Sequence, residues 1–114
     1  MRDGAAINGF EFLVYTIHTD TGDSASMFGF AGRSARGAGH MAAASLRPFL
    51  MGRNPLDREA IWQDWRIADR WWHHLPIYMY GPLDCCLWLL GAQAAGQPLW
   101  RYIGGAQSTL PVYA

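Results

Sequence analysis

The chain has 114 residues, enough for one domain with a modest core but too few for a (β/α)8 barrel, which takes about 250. Apolar residues make up 51% and six residues are Trp, a composition that folds and excludes a disordered chain. Nine Arg balance nine acidic residues and Lys is absent, so no long-range field gathers nucleic acid or an anionic membrane, and no ε-amine serves as base, Schiff-base former or phosphate ligand.

In chain order, residues 10–19 (FEFLVYTIHT) alternate strictly and predict a strand. Asp20, Thr21 and Gly22 supply turn chemistry, and residues 25–31 (ASMFGFA) predict a second strand closing an antiparallel hairpin. Residues 32–39 (GRSARGAG) carry neither period and predict a loop. The Ala-rich run 40–50 predicts a helix stopped by Pro48 and Gly52. Asn54 as N-cap, Pro55 at the first helical position and Asp57 predict the next helix, reaching about residue 71 with an apolar stripe of Ile61, Trp65, Ala68 and Trp72, widened by Trp62. Residues 73–81 read as a loop, and 82–95 as the most apolar helix, ended by Gly96 in a left-handed cap. Pro98 opens a short last helix towards Gly104, and residues 110–114 (LPVYA) read as the start of a strand cut off in mid-element. Strands first and helices after give an α+β fold: a small antiparallel sheet, hairpin or meander, followed by three to four helices on one face. Nothing near the N-terminus has the form of a signal peptide, and no run of about 18 apolar residues is present, so the cytoplasm is the expected compartment.

Several chemical constellations can be tested against these elements. Gly32 and Gly37 have the spacing of a P-loop start, but Ala38 and Gly39 stand where Lys and Ser or Thr are required to reach phosphate and metal. Arg33 and Arg36 could clamp a carboxylate in bidentate fashion, or be two solvated surface cations. The four His lie on separate elements or, at His73 and His74, are adjacent and diverge, so no metal ligand pair forms. Cys85 and Cys86 are neighbours on a helix, a poor geometry for a disulfide, and read as small core residues. Trp62, Trp65 and Trp72 fall at helical spacing and read as core, or as contact with a missing domain, in preference to a sugar-stacking platform.

Residues 81–105 (GPLDCCLWLLGAQAAGQPLWRYIGG) resemble the segment that closes the N-terminal domain of enolase-superfamily enzymes of the mandelate racemase and muconate lactonizing type. There the pattern runs A-x-D-x-A-L-W-D-L, G-K, G-x-P-x-x-x-L-L-G-G and then V-P-x-Y; Asp84, Leu87, Trp88, Leu90, Gly96, Pro98, Gly104, Gly105, Pro111, Val112 and Tyr113 stand at matching positions. Residues 18–22, Gly29 with Phe30, residues 46–55 (LRPFLMGRNP) and Trp62 extend the likeness over nearly the whole chain. Cys86, Leu89, Ala92 and Gln93 depart from the pattern's Ala, Asp, Gly and Lys, which removes a helix ion pair. The family's first strand is not evident in residues 1–9.

The resemblance implies a capping domain over residues 1–109, with residues 110–114 beginning an absent (β/α)8 barrel. Such enzymes remove the proton α to a carboxylate and stabilise the enediolate with Mg²⁺, and in them the metal ligands and bases sit on the barrel. It therefore implies no catalytic residue, metal ligand or cofactor in this chain, which alone is expected to be inactive, and Mg²⁺ in the full-length enzyme. The loop holding Phe30, Arg33, Ser34 and Arg36 matches the family's lid and is expected to select the substrate's distal end. The expected partners are the barrel domain, a small sugar acid and further copies of the enzyme, with no nucleic acid and no membrane; the expected activity is that of a sugar-acid dehydratase or racemase. The alternative is a barrel-less binding or assembly module without catalysis.

Overall fold

The computed structural model describes residues 11–30, 35–73 and 75–113. Two strands, β1 (Phe12–His18) and β2 (Ser24–Phe30), form an antiparallel hairpin with Phe12 opposite Phe30, Tyr15 opposite Met27 and His18 opposite Ser24. The turn is held by Thr19: its N–H donates to the Asp23 carbonyl (2.9 Å), and its Oγ1 accepts from the Asp23 N–H (3.0 Å). Gly22 turns the chain at φ +95°, a conformation that side chains resist.

Four helices follow: α1 (Ala35–Leu50), α2 (Arg58–Ala68), α3 (Ile77–Ala94) and α4 (Leu99–Tyr102), with one π-helical turn at Asp69–His73 extending α2. This is the α+β architecture that the alternation followed by helical periods predicts, with the hairpin laid on α3. Leu13, Tyr15 and Ile17 of β1 pack inward, and Ala25 and Met27 of β2 meet Cys86 and Leu90 of α3. A second body of core joins Ala38, Ala42 and Leu46 of α1 to Trp65, Met79, Tyr80 and Leu83. At its centre Trp65 stacks on Tyr80 (5.4 Å between centroids, 14°) and meets Phe49 edge to face (5.1 Å).

Four boundaries differ from the sequence expectation. Helix α1 starts at Ala35, inside the stretch read as loop, because Gly39 lets it lie close to β1: a Cβ there would come 3.1 Å from Leu13 Cδ2. Burial of Ala38, Ala42 and Leu46, four apart, offsets the helical cost of two glycines. Asn54 does not cap α2. Its Oδ1 instead accepts the Leu56 N–H (3.1 Å) in a local turn, and the helix starts three residues later, at Arg58 after Asp57.

Helix α3 begins at Ile77, five residues before Pro82, which sits inside the helix. The proline forfeits one backbone bond, but its ring lies under β2, where a Cβ on Gly29 would approach Pro82 Cγ to 2.8 Å. Residues 110–113 form no strand; Leu110, Val112 and Tyr113 are exposed, and a strand needs a neighbour to pair with. The remaining stops agree with expectation: Gly96 (φ +62°) follows α3 and Gly104 (φ +82°) follows α4.

Candidate functional site

Of the four residues assigned to the lid loop, Arg33 and Ser34 lie outside the described residues. The other two belong to regular elements: Phe30 is the last residue of β2, and Arg36 is in the first turn of α1. The assignment of both to a loop is corrected accordingly. The site candidate is thus the junction between the end of β2 and the start of α1, with residues 31–34 between them.

The described residues form clefts, of which two bear on the site. The first, about 560 Å³, runs along β1 and is walled by α1. Six consecutive residues of β1, Leu13 to His18, line it. Consecutive residues point to opposite faces, so they can share one groove where it follows the strand's edge and its backbone. Ala42, Leu46 and Leu50 make the opposite wall apolar, and Arg47 and His18 add polar groups.

The second cleft, about 420 Å³, lies between α2 and α3 and is lined by Arg58, Glu59, Trp62, Tyr80, Asp84 and Trp88 among others. The Arg58 guanidinium sits 3.4 Å over the Trp88 ring, and the Trp88 indole N–H donates to the Asp84 carboxylate. Burial pushes the Asp84 carboxyl above the usual carboxylate range, partly opposed by Arg58 and by the indole bond. Burial, reinforced by the Asp84 charge, pushes the Tyr80 phenol up to about 12, and its buried hydroxyl has no hydrogen-bond partner among the described residues. The Tyr80 phenol therefore stays protonated at neutral pH.

Sequence reasoning named Asp84 and Trp88 as pattern positions without giving them work. Their i, i+4 spacing signals the contact between them. Arg58, which comes from another helix, carried no such signal. Trp62 and Trp65 are where the periodicity puts them: Trp65 in the core and Trp62 packed half-buried against it.

The metal and nucleophile readings can be placed as well. Among the described residues no group of three or more His, Cys, Asp or Glu could hold a metal ion, so the set fits no Mg²⁺ site. Burial raises the Cys86 thiol to about 11, and its Sγ–H is directed at the Tyr15 carbonyl (3.7 Å), so this cysteine packs and does not attack. Cys85 and Cys86 are both free thiols. No described helix is long and apolar enough to cross a membrane.

This fold and these positions can be compared with known proteins. A protein of Sinorhizobium meliloti named provisionally as an isomerase superposes with a TM-score of 0.69 over 82% of this chain and 25% of its own length, at 24% identity, and so shares the fold. No family model matches the chain. Among curated proteins, a D-galactonate dehydratase family member of Streptomyces bingchenggensis is 31% identical over 104 residues, covering 86% of this chain and 24% of the relative. The 3,6-anhydro-alpha-L-galactonate cycloisomerase of Streptomyces coelicolor is 31% identical over 111 residues, covering 91% and 30%. The D-mannonate dehydratase of Novosphingobium aromaticivorans is 30% identical over 103 residues, covering 85% and 24%. The chain belongs to the enolase superfamily. It spans about a quarter of the length of the curated relatives it matches.

Proposed function

We propose that this chain is the N-terminal capping domain, over residues 1–109, of a mandelate racemase-like enzyme, with residues 110–114 leading into a (β/α)8 barrel. The observation that carries the reading is the unequal coverage: 85–91% of this chain aligns with the dehydratases and the cycloisomerase, yet only 24–30% of each of them is matched. On this reading the barrel removes the proton α to the carboxylate of a sugar acid and holds Mg²⁺, and the cap closes over its mouth, in a cytoplasmic homo-oligomer. Dehydration is the outcome favoured by the names of two of the three relatives.

The residues of this chain that meet the substrate are then Phe30, Arg33, Ser34 and Arg36. Arginine and serine suit the distal hydroxyls and charge of a sugar acid, and closure of the junction excludes water, which strengthens each such contact. The test is the full-length gene product, assayed with aldonates in deuterated solvent for exchange and elimination at the α-carbon. Arg33→Ala and Arg36→Ala should each lower kcat/KM by roughly 10- to 100-fold, the value of a hydrogen bond to a charged group. Full activity of both variants would remove them from the substrate site; a gene with no barrel would end the enzymatic reading.

A further inference from the structure

The hairpin shows two different surfaces on its outward side. With Leu13, Tyr15 and Ile17 packed inward, Phe12, Val14 and Thr16 of β1 share the outward face, and the register sets Val14 opposite Phe28 and Thr16 opposite Ser26. Near the turn this face is polar, and Thr16 and Ser26 join hydroxyls at 2.9 Å. At the far end it is not: Phe12, Val14 and Phe28 are 55%, 70% and 65% exposed, and the two phenyl rings meet edge to face with centroids 6.0 Å apart. Singly exposed apolar residues are ordinary on a solvated sheet, but three adjacent ones on one face make a contiguous patch of the kind used for contact.

We propose that Phe12, Val14 and Phe28 form the surface on which the remainder of the same polypeptide, the barrel domain, docks against the cap. The inference rests on the capping reading, and the area selects the occupant. At these exposures the three side chains offer roughly 300–400 Å² of apolar surface. A stable association of separate chains needs about 800 Å² from each partner, so the patch is too small to hold a second copy by itself. A domain joined in the same chain is present at an effective concentration of order mM and is held by less. The relatives, of which this chain matches 24–30%, have that further length. Positions 12, 14, 16, 24, 26 and 28 carry no charge, so the complementary surface is flat, apolar and uncharged.

Hydroxyl-radical footprinting of the 114-residue chain and of the full-length polypeptide tests this. Oxidation of Phe12 and Phe28 is expected to fall at least about fivefold in the longer protein. Val14→Thr and Phe28→Thr, which keep strand preference, should leave the melting temperature of the 114-residue chain unchanged. In the full-length protein the same changes should split one unfolding transition into two and open the junction to protease. Equal oxidation in both proteins, with the longer one active, overturns the docking face and leaves the cap reading intact. Concentration-dependent protection of Phe28 in the short chain assigns the face to a second copy and also overturns it. A gene without a barrel removes both readings together.

Discussion

The guanidinium of Arg58 on α2 lies 3.4 Å above the ring of Trp88 on α3, and the same indole meets the Tyr102 ring on α4 edge to face, with centroids 5.9 Å apart. One side chain thereby ties three helices. Arg58→Ala should cost about 1 kcal/mol from the lost cation–π contact, and Arg58→Lys less, read from urea midpoints at constant slope. No change in either midpoint would mean that the arrangement contributes nothing to stability.

Asp84 links the same cluster to pH. Its folded-state carboxyl is raised, so the folded chain holds that proton more tightly than the unfolded one. Its contribution to stability is therefore fully present below the ordinary carboxylate range and is lost as pH rises through the raised folded value. Asp84→Asn, which keeps an acceptor for the Trp88 indole, should flatten the melting temperature across that window and raise it above. A steeper loss of stability with rising pH in the variant would reverse the assignment.

Gly29 and Gly91 make a graded pair. A Cβ on Gly29 meets the Pro82 ring at 2.8 Å, and that ring cannot swing away. A Cβ on Gly91 meets the Tyr102 hydroxyl at 2.7 Å, the far end of a side chain that can move. Gly29→Ala should destabilise by about 1–3 kcal/mol and Gly91→Ala by less, with the second change loosening α4, seen as faster amide exchange at Leu99–Tyr102.

Trp65 is 1% exposed between Phe49 and Tyr80. Trp65→Ala should cost about 3–5 kcal/mol, a large share of the roughly 5–15 kcal/mol that holds a small domain, and should abolish near-UV dichroism; Trp65→Phe should retain it with a lower midpoint.

The two cysteines should separate in a labelling experiment. Cys86 is fully buried with its thiol raised to about 11, whereas Cys85 is partly exposed. Native protein at neutral pH should take up one maleimide, at Cys85, and denatured protein two, as read by mass spectrometry. Rapid double labelling of the native chain would show that α3 opens readily.

How much of this was legible depended on how local each signal is. The hairpin was, because alternation of Phe12 to His18 around a Thr-Asp-Thr-Gly turn is a property of the segment itself. The last helix and its glycine stops were legible for the same reason. The starts of α1 and α3 were not: Gly37, Gly39 and Pro82 argue locally against helix, and burial against Leu13 and fit beneath Gly29 outweigh them in space. Residues 110–113 carried a strand pattern without a partner strand. In the candidate site, the Asp84–Trp88 pair had a helical spacing to announce it, while Arg58 reaches Trp88 across a helix boundary that no sequence pattern spans.

The place of α3 in the chain has a consequence for how the protein is made. Both strands, α1 and α2 rest on it, and all four are synthesised before it. At about 5–20 residues per second, the roughly 45 residues between β2 and α3 keep the inner face of the nascent hairpin waiting for about 2–9 s. Ala25 and Met27, whose cover is Cys86 and Leu90 of α3, meet it only after that interval. The chain is thus an expected client of chaperones that shield short apolar strands during synthesis, and a codon-level pause placed before Ile77 would raise its tendency to aggregate.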